Sequence, residues 1–207
     1  MGARSEQTEG RRIQIRNAAR QLFLRHGFQG TSTDAVMSAA GVASKETLYR
    51  YFRSKEEMFV EVVRSMTVEG PYLKGLLERD PLPRTAEELR ALVRSFVLEL
   101  LKTMLQPDYL ALMRITIGEL PKFPELGELF RQAVPLRAMR YLRSLAKAGQ
   151  ITGMVRAGKD PEITARMIMG TLLTYAIFDG LLVEGRKPRL PGPTTVEAIV
   201  ENILDIV

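Results

Sequence analysis

Helical spacing governs this chain, and no stretch alternates for long enough to build a sheet. Ile15, Ala18, Ala19, Leu22 and Phe23 fall at i, i+3, i+4, i+7 and i+8, one face of a helix. Arg12, Arg16 and Arg20 recur four apart on another face. Arg25-His26-Gly27 reads as the end, with cations near the negative pole of the dipole and glycine just past it. That gives the single histidine a structural role. Ser32 or Thr33 caps a short helix to Ala40, which Gly41 breaks, and Ser44 caps a second through about Tyr51. Ser54-Lys55-Glu56-Glu57 is a capping box opening a longer helix to about Glu69.

Four more helix starts follow. Thr85-Ala86-Glu87-Glu88 opens a helix with the face Leu89, Leu92, Val93, Phe96, Leu100 and Met104. Pro107-Asp108 starts another, Asp160-Pro161 sets a cap before a proline in the first turn, and Thr194-Thr195-Val196-Glu197 is one more capping box. Pro135 splits 124–149 into a short helix and a longer one. The expected fold class is all-α: a three-helix helix-turn-helix head over 1–56, with 1–10 a disordered lead, joined to a helical body over 57–207.

Composition narrows the chemistry. The absence of cysteine removes disulfides, thiolate metal sites and cysteine nucleophiles, and one histidine leaves no material for a zinc site. No Gly-rich phosphate loop or nucleophile–base pair is present, so neither a cofactor, a metal nor an enzymatic activity is expected. The start, MGARSEQTEG, is polar and unlike a signal peptide, which makes the cytoplasm the expected location. Charge is uneven: residues 1–56 hold ten Lys/Arg against five acids, +5 of the net +6. A basic head on a near-neutral body suits one end meeting a polyanion.

Residues 33–52, TDAVMSAAGVASKETLYRYF, form two short helices around a Gly-containing turn, a helix-turn-helix whose second helix can enter the ~12 Å major groove of duplex DNA. Lys45, Thr47, Tyr49 and Tyr51 supply donors, a methyl group and aromatic edges, while Leu48 and Phe52 face inward. The run IRNAARQLFLRHGFQGTST, followed by AAGVASKETLYRYFRSKEEMF, resembles the N-terminal domain of the TetR family of bacterial transcriptional regulators over about residues 12–60. The resemblance implies that Lys45, Thr47 and Tyr49 face base edges and that Thr33, Tyr51 and Lys55 hold phosphates. A lysine at a helix N-terminus gains nothing from the dipole, which is a physical reason to expect an anion at Lys55. Two positions depart from the family pattern. Ala43 stands as an extra residue between Val42 and Thr47, and Met37 replaces a common alanine. Both bear on which base step Lys45 reaches.

The segment LMRITIGELPKFPELGELFRQAVPLR is similar to C-terminal domains in part of this family, which implies a small-molecule effector of unnamed identity. Phe96, Leu100, Met104, Met113, Thr116, Phe123, Phe130, Tyr141 and Tyr175 are the candidates to line its pocket. The resemblance also implies a homodimer built from the last two helices. From the residues themselves, Met167 to Phe178 carries no charge and needs cover all round. It falls short of the ~20 residues of a membrane span, and Asp179 ends it. In the final helix Glu197, Glu201 and Asp205 make one narrow acidic stripe, leaving Ile199, Val200, Ile203, Leu204 and Ile206 for an interface. The expected function is a ligand-responsive regulator, a repressor that binds a near-palindromic operator as a dimer and is released by a small apolar or amphipathic effector. A DNA-binding structural or nucleoid-associated protein without an effector is the alternative.

Overall fold

The computed structural model describes residues 2–67, 69–70, 73–133, 135–183 and 188–206, and the side chain of Ile206 lies outside the described residues. Every regular element among them is helical. In chain order these are α1 (Gly2–His26), α2 (Thr33–Ala39), α3 (Lys45–Tyr51), α4 (Lys55–Met66), α5 (Lys74–Leu77), α6 (Ala86–Met104), α7 (Pro107–Glu119), α8 (Pro124–Ala133), α9 (Pro135–Ile151), α10 (Pro161–Ala176), a π-helical turn (Ile177–Leu181) and α11 (Pro193–Ile206).

Two compact units divide the chain, one of Met1–Ser65 with Ala111–Arg131, the other of Met66–Leu110 with Gln132–Val207. The first unit is therefore larger than the head expected over 1–56, and aromatic packing is the reason. Phe59 of α4 meets Phe23 and Phe28 edge-on at 5.1 and 5.4 Å, and Phe123 meets Phe28 edge-on at 5.1 Å. Phe23, Phe28 and Phe59 are fully buried beside Ile15, Ala19, Leu48 and Phe52. Burying a Phe removes enough apolar surface to stabilise by roughly 1.5–3 kcal/mol, so α4 and residues 111–131 belong to the core they complete.

α1 begins at Gly2 instead of near Arg11, so the lead expected to be disordered over 1–10 is helical. Ala3, Arg4, Glu6, Gln7 and Glu9 are good helix formers, and propagation from the nucleus anchored by Ile15 to Phe23 adds a hydrogen bond per residue without a new nucleation cost. Glu61, 7% exposed, lies between two guanidiniums of the same unit, with Arg12 Nη2 at 3.5 Å and Arg64 Nη2 at 2.8 Å. The Arg12 guanidinium also sits 4.9 Å from the Phe52 ring centroid.

In the second unit α9 packs on α10, and α6 on both α10 and α11. α6 buries Leu89, Val93, Phe96, Val97, Leu100, Leu101 and Met104. Thr85 caps it, its hydroxyl accepting from Glu88 N at 3.1 Å. Asp160 caps α10 through Oδ1, which accepts from Glu162 N and Ile163 N at 2.7 and 3.2 Å. The π-helical turn after α10 sets Gly180 against Leu110 and Leu105; a Cβ there would lie 2.9 Å from Leu110 Cδ1.

The final helix corrects the sequence expectation. It starts at Pro193, one residue ahead of the proposed capping box, and Glu197 reaches across to α6 instead of back along α11. Arg94 Nε donates to Glu197 Oε1 at 2.5 Å, and Arg90 pairs with both Glu197 and Glu201. Glu197 and Glu201 of the acidic stripe thus face α6, while Asp205 is exposed. Of the residues expected at an interface, Ile199, Val200 and Ile203 are buried within the subunit with Val196 and complete its own core, while Leu204 is half-buried.

Candidate nucleic-acid interface

The helix-turn-helix is fixed by local chemistry at each joint. Ser32 N-caps α2, its hydroxyl accepting from Ala35 N at 3.1 Å, which makes Thr33 the first helical residue. α2 ends in a pair of reverse hydrogen bonds, Gly41 N to Ser38 O at 3.2 Å and Val42 N to Met37 O at 2.9 Å. This is the Schellman ending, and it requires a left-handed residue, supplied by Gly41 at φ 59°. Val42 is buried, Ala43 is exposed, and Ser44 then caps α3 by accepting from Thr47 N at 3.1 Å. The additional residue is accommodated in the turn. α3 remains a regular seven-residue helix.

α3 has two distinct faces. Leu48 and the following Phe52 are fully buried, while Lys45, Tyr49 and Arg50 are exposed. Lys45 Nζ lies 3.1 Å from Asp34 Oδ1 of α2, both largely exposed, a pairing worth at most ~1 kcal/mol and easily exchanged for another acceptor. Tyr49, 44% exposed, is the most open aromatic of the helix. Thr47 is half-buried, and its hydroxyl shares a 2.9 Å hydrogen bond with Ser44 Oγ, leaving its methyl as the group most available for contact.

Tyr51 is half-buried and lines a polar cleft of about 530 Å3 with Gln7, Thr8, Arg11 and Gln14 of α1. In the sequence Arg11 stands out only by its charge. Here its Nη2 donates to the carbonyl of Gly41 at 2.9 Å and its Nη1 to Gln14 Oε1 at 2.9 Å, so α1 clamps the turn that sets the angle of α3. The signal available in the sequence was the extra arginine one residue before the four-residue series.

Lys55, at the first position of α4, is engaged inside the unit. Its ammonium donates to the carbonyl of Phe28 at 3.0 Å and lies 4.4 Å from the Phe28 ring centroid. An external anion is therefore not required to account for a lysine at this helix start. A carbonyl and an aromatic face already stabilise it, although an ammonium has three donors and this bond uses one. α4 is capped by Ser54, which accepts from Glu57 N at 3.2 Å, while Glu57 Oε2 accepts from Arg53 N at 2.6 Å.

The nine effector candidates fall into both units. Met113, Thr116, Phe123 and Phe130 belong to the first, and Phe96, Leu100, Met104, Tyr141 and Tyr175 to the second. Phe123 meets the Phe28 ring edge-on, and Thr116 is buried with its hydroxyl donating to Leu112 O at 2.8 Å, so its donor is taken. Phe96 and Tyr141 are buried and stacked at 5.5 Å. Leu100 and Met104 are buried on the same face of α6. Tyr175 lines an open cleft of about 730 Å3 with Asp179, Arg189, Leu190 and Thr195.

α10 is buried on one side through Ala165, Ile168 and Leu172. Ile163, Met167 and Leu173 of α10 are exposed in the single chain, as are Ile177 and Phe178 of the π-helical turn that follows, Phe178 by 65%. Among the described residues no helix is long and apolar enough to cross a membrane, and no group of His, Cys, Asp or Glu side chains is placed to hold a metal ion.

Residues 15–62 match the family model of bacterial regulatory proteins, tetR family, and residues 87–207 match that of the AefR-like transcriptional repressor C-terminal domain. The HTH-type transcriptional regulator YhgD of Bacillus subtilis is 30% identical over 169 residues, covering 80% of this chain and 81% of that one. The HTH-type transcriptional regulator RutR of Escherichia coli K12 is 28% identical over 212 residues, covering 100% and 92%. Among solved structures, the flavonoid-responsive regulator FrrA superposes with a TM-score of 0.69 at 29% identity, covering 96% of this chain and 95% of that chain.

Proposed function

Since the chain belongs to the TetR family of bacterial regulatory proteins, we propose that this DNA-binding transcriptional regulator is a ligand-responsive repressor that holds a near-palindromic operator as a homodimer. The observation that carries the reading is the division of α3 into a buried side, Leu48 with Phe52, and an open side, Lys45 with Tyr49. A helix fixed from behind and polar in front is what major-groove recognition needs. Lys45, Tyr49 and the methyl of Thr47 read base edges in this account. Thr33, Tyr51 and Lys55 take phosphates, joined by Arg11.

One such head buries only ~600–1,000 Å2 on DNA, too little for high specificity, so two heads act together. The exposed apolar residues of α10 and the turn after it, Met167, Leu173, Ile177 and Phe178, support the dimer, because large apolar side chains left open in one chain suit an interaction surface. The effector is a small apolar or amphipathic molecule, a reading that gains support from the flavonoid-responsive regulator FrrA among the similar structures. Effector binding shifts the body toward a state whose heads no longer match operator spacing.

Selection of bound sites from random duplexes tests the proposal. The expected product is a pair of inverted half-sites, bound as one dimer and released when a cognate effector is added. Recovery of unrelated sequences, or of direct repeats, contradicts it.

A further inference from the structure

The second unit holds a small pocket of about 190 Å3 lined by three arginines, Arg79, Arg137 and Arg140. Asp80, Tyr141 and Ser144 also line it. None of the three arginines has an ion pair among the described residues. Three positive charges against the one carboxylate of Asp80 leave a net charge of +2 in a pocket smaller than the ~300–1,000 Å3 of a drug-sized site.

Two observations make this more than a basic surface. Arg137 stands in the first turn of α9, where no acid is present and the helix dipole is itself positive. A cation there is unfavourable unless an anion accompanies it. Independently, Tyr141 is only 4% exposed, and its hydroxyl is buried without a hydrogen-bond partner on the wall of the same pocket. An orphaned buried hydroxyl loses its hydration for nothing in return, which calls for a bound acceptor. Burial pushes the Tyr141 hydroxyl up to about 12, with nearby Arg79 acting in the opposite direction, so at neutral pH it keeps its proton and is a donor. Arg137, Arg140, Tyr141 and Ser144 recur at i, i+3, i+4 and i+7 along α9, one face of the helix.

We infer that this pocket binds a doubly charged oxyanion the size of a phosphate group, held by Arg79, Arg137 and Arg140 and by a hydrogen bond from Tyr141. That the anion is the headgroup of the effector rests on the ligand-responsive reading above; the site itself does not. Calorimetric titration of the full-length protein with inorganic phosphate at fixed ionic strength tests it. Saturable binding is expected, weakened about tenfold or more in Arg137→Gln and several-fold in Tyr141→Phe, which keeps the ring stacked on Phe96. Arg25→Gln, an exposed cation at the end of α1, should leave the titration unchanged, and butyrate, a single charge, should bind more weakly than phosphate. Absence of saturable binding overturns the inference. So does binding that follows Arg25→Gln while ignoring Arg137→Gln and Tyr141→Phe, or tighter binding of butyrate. If the site behaves as expected while no anionic amphiphile changes operator affinity, the effector assignment fails and the anion site stands.

Discussion

The ammonium of Lys55 donates to the carbonyl of Phe28 at 3.0 Å and rests 4.4 Å from the centroid of the Phe28 ring. The bond joins the start of α4 to the loop after α1, and the same lysine is proposed to hold a phosphate. Lys55→Ala should therefore lower the stability of the protein by about 1–3 kcal/mol, measured by denaturant unfolding. It should also weaken binding to all DNA sequences alike and reduce the log–log salt slope by ~0.9 for each phosphate contact removed. Lost stability with an unchanged slope would restrict Lys55 to its structural role.

Lys45 and Tyr49 are exposed, so their removal should leave the unfolding midpoint nearly unchanged. Lys45→Ala and Tyr49→Ala should each relax discrimination at one or two base positions by ~1–3 kcal/mol, read by competition with single-substituted operators. A uniform loss across sequences for Lys45→Ala would place it on the backbone, a consequence of the turn that Ala43 lengthens.

The two apolar sets of the body should separate cleanly. Ile203 is 2% exposed inside its own subunit, so Ile203→Asp buries an unpaired charge and should cost several kcal/mol, seen as loss of helical circular dichroism at moderate temperature. Met167 of α10 is 47% exposed. Met167→Asp should keep its helical signal, sediment as a monomer, and retain only weak, salt-sensitive DNA affinity. A dimeric Met167→Asp with normal operator binding would remove α10 from the interface.

Hydrogen bonding to Arg94 holds the Glu197 carboxyl below its usual range, opposed by burial and reinforced by Arg90; Glu201 in turn raises Arg90. A carboxylate lowered in the folded state adds stability above its unfolded value, and that stability is lost as pH falls through the folded one. Glu197→Gln should reduce the melting temperature slightly at neutral pH. The difference should vanish at acid pH, below the carboxylate range, and shrink in high salt. An equal difference at both pH values would assign it to packing.

Most of the head was legible because local chemistry decides it. Ser32, Ser44 and Ser54 cap the helices that the sequence assigns them, and Gly41 ends α2 as a left-handed residue. What stayed hidden depends on contacts between distant residues. The aliphatic face of α11 was visible as a pattern, but which partner covers it depends on Arg90 and Arg94, a hundred residues earlier, which draw Glu197 and Glu201 onto α6. That Phe28 is the neighbour of Phe123 was hidden for the same reason, since the two stand nearly a hundred residues apart in the chain. Arg137 and Arg140 drew no notice, since their meaning lies in lining one pocket with Arg79 beside an orphaned Tyr141 hydroxyl.

The most direct test of the central claim is the equilibrium affinity of the wild-type protein for its selected operator and for a scrambled duplex, each measured across a series of salt concentrations. Two heads that each grip several phosphates predict a steep negative log–log slope on both duplexes, with ~0.9 contributed by each contact. The operator should also be preferred by ~4–10 kcal/mol, supplied by the open face of α3 in both subunits. A slope near zero, or equal affinity for the two duplexes, would contradict the account.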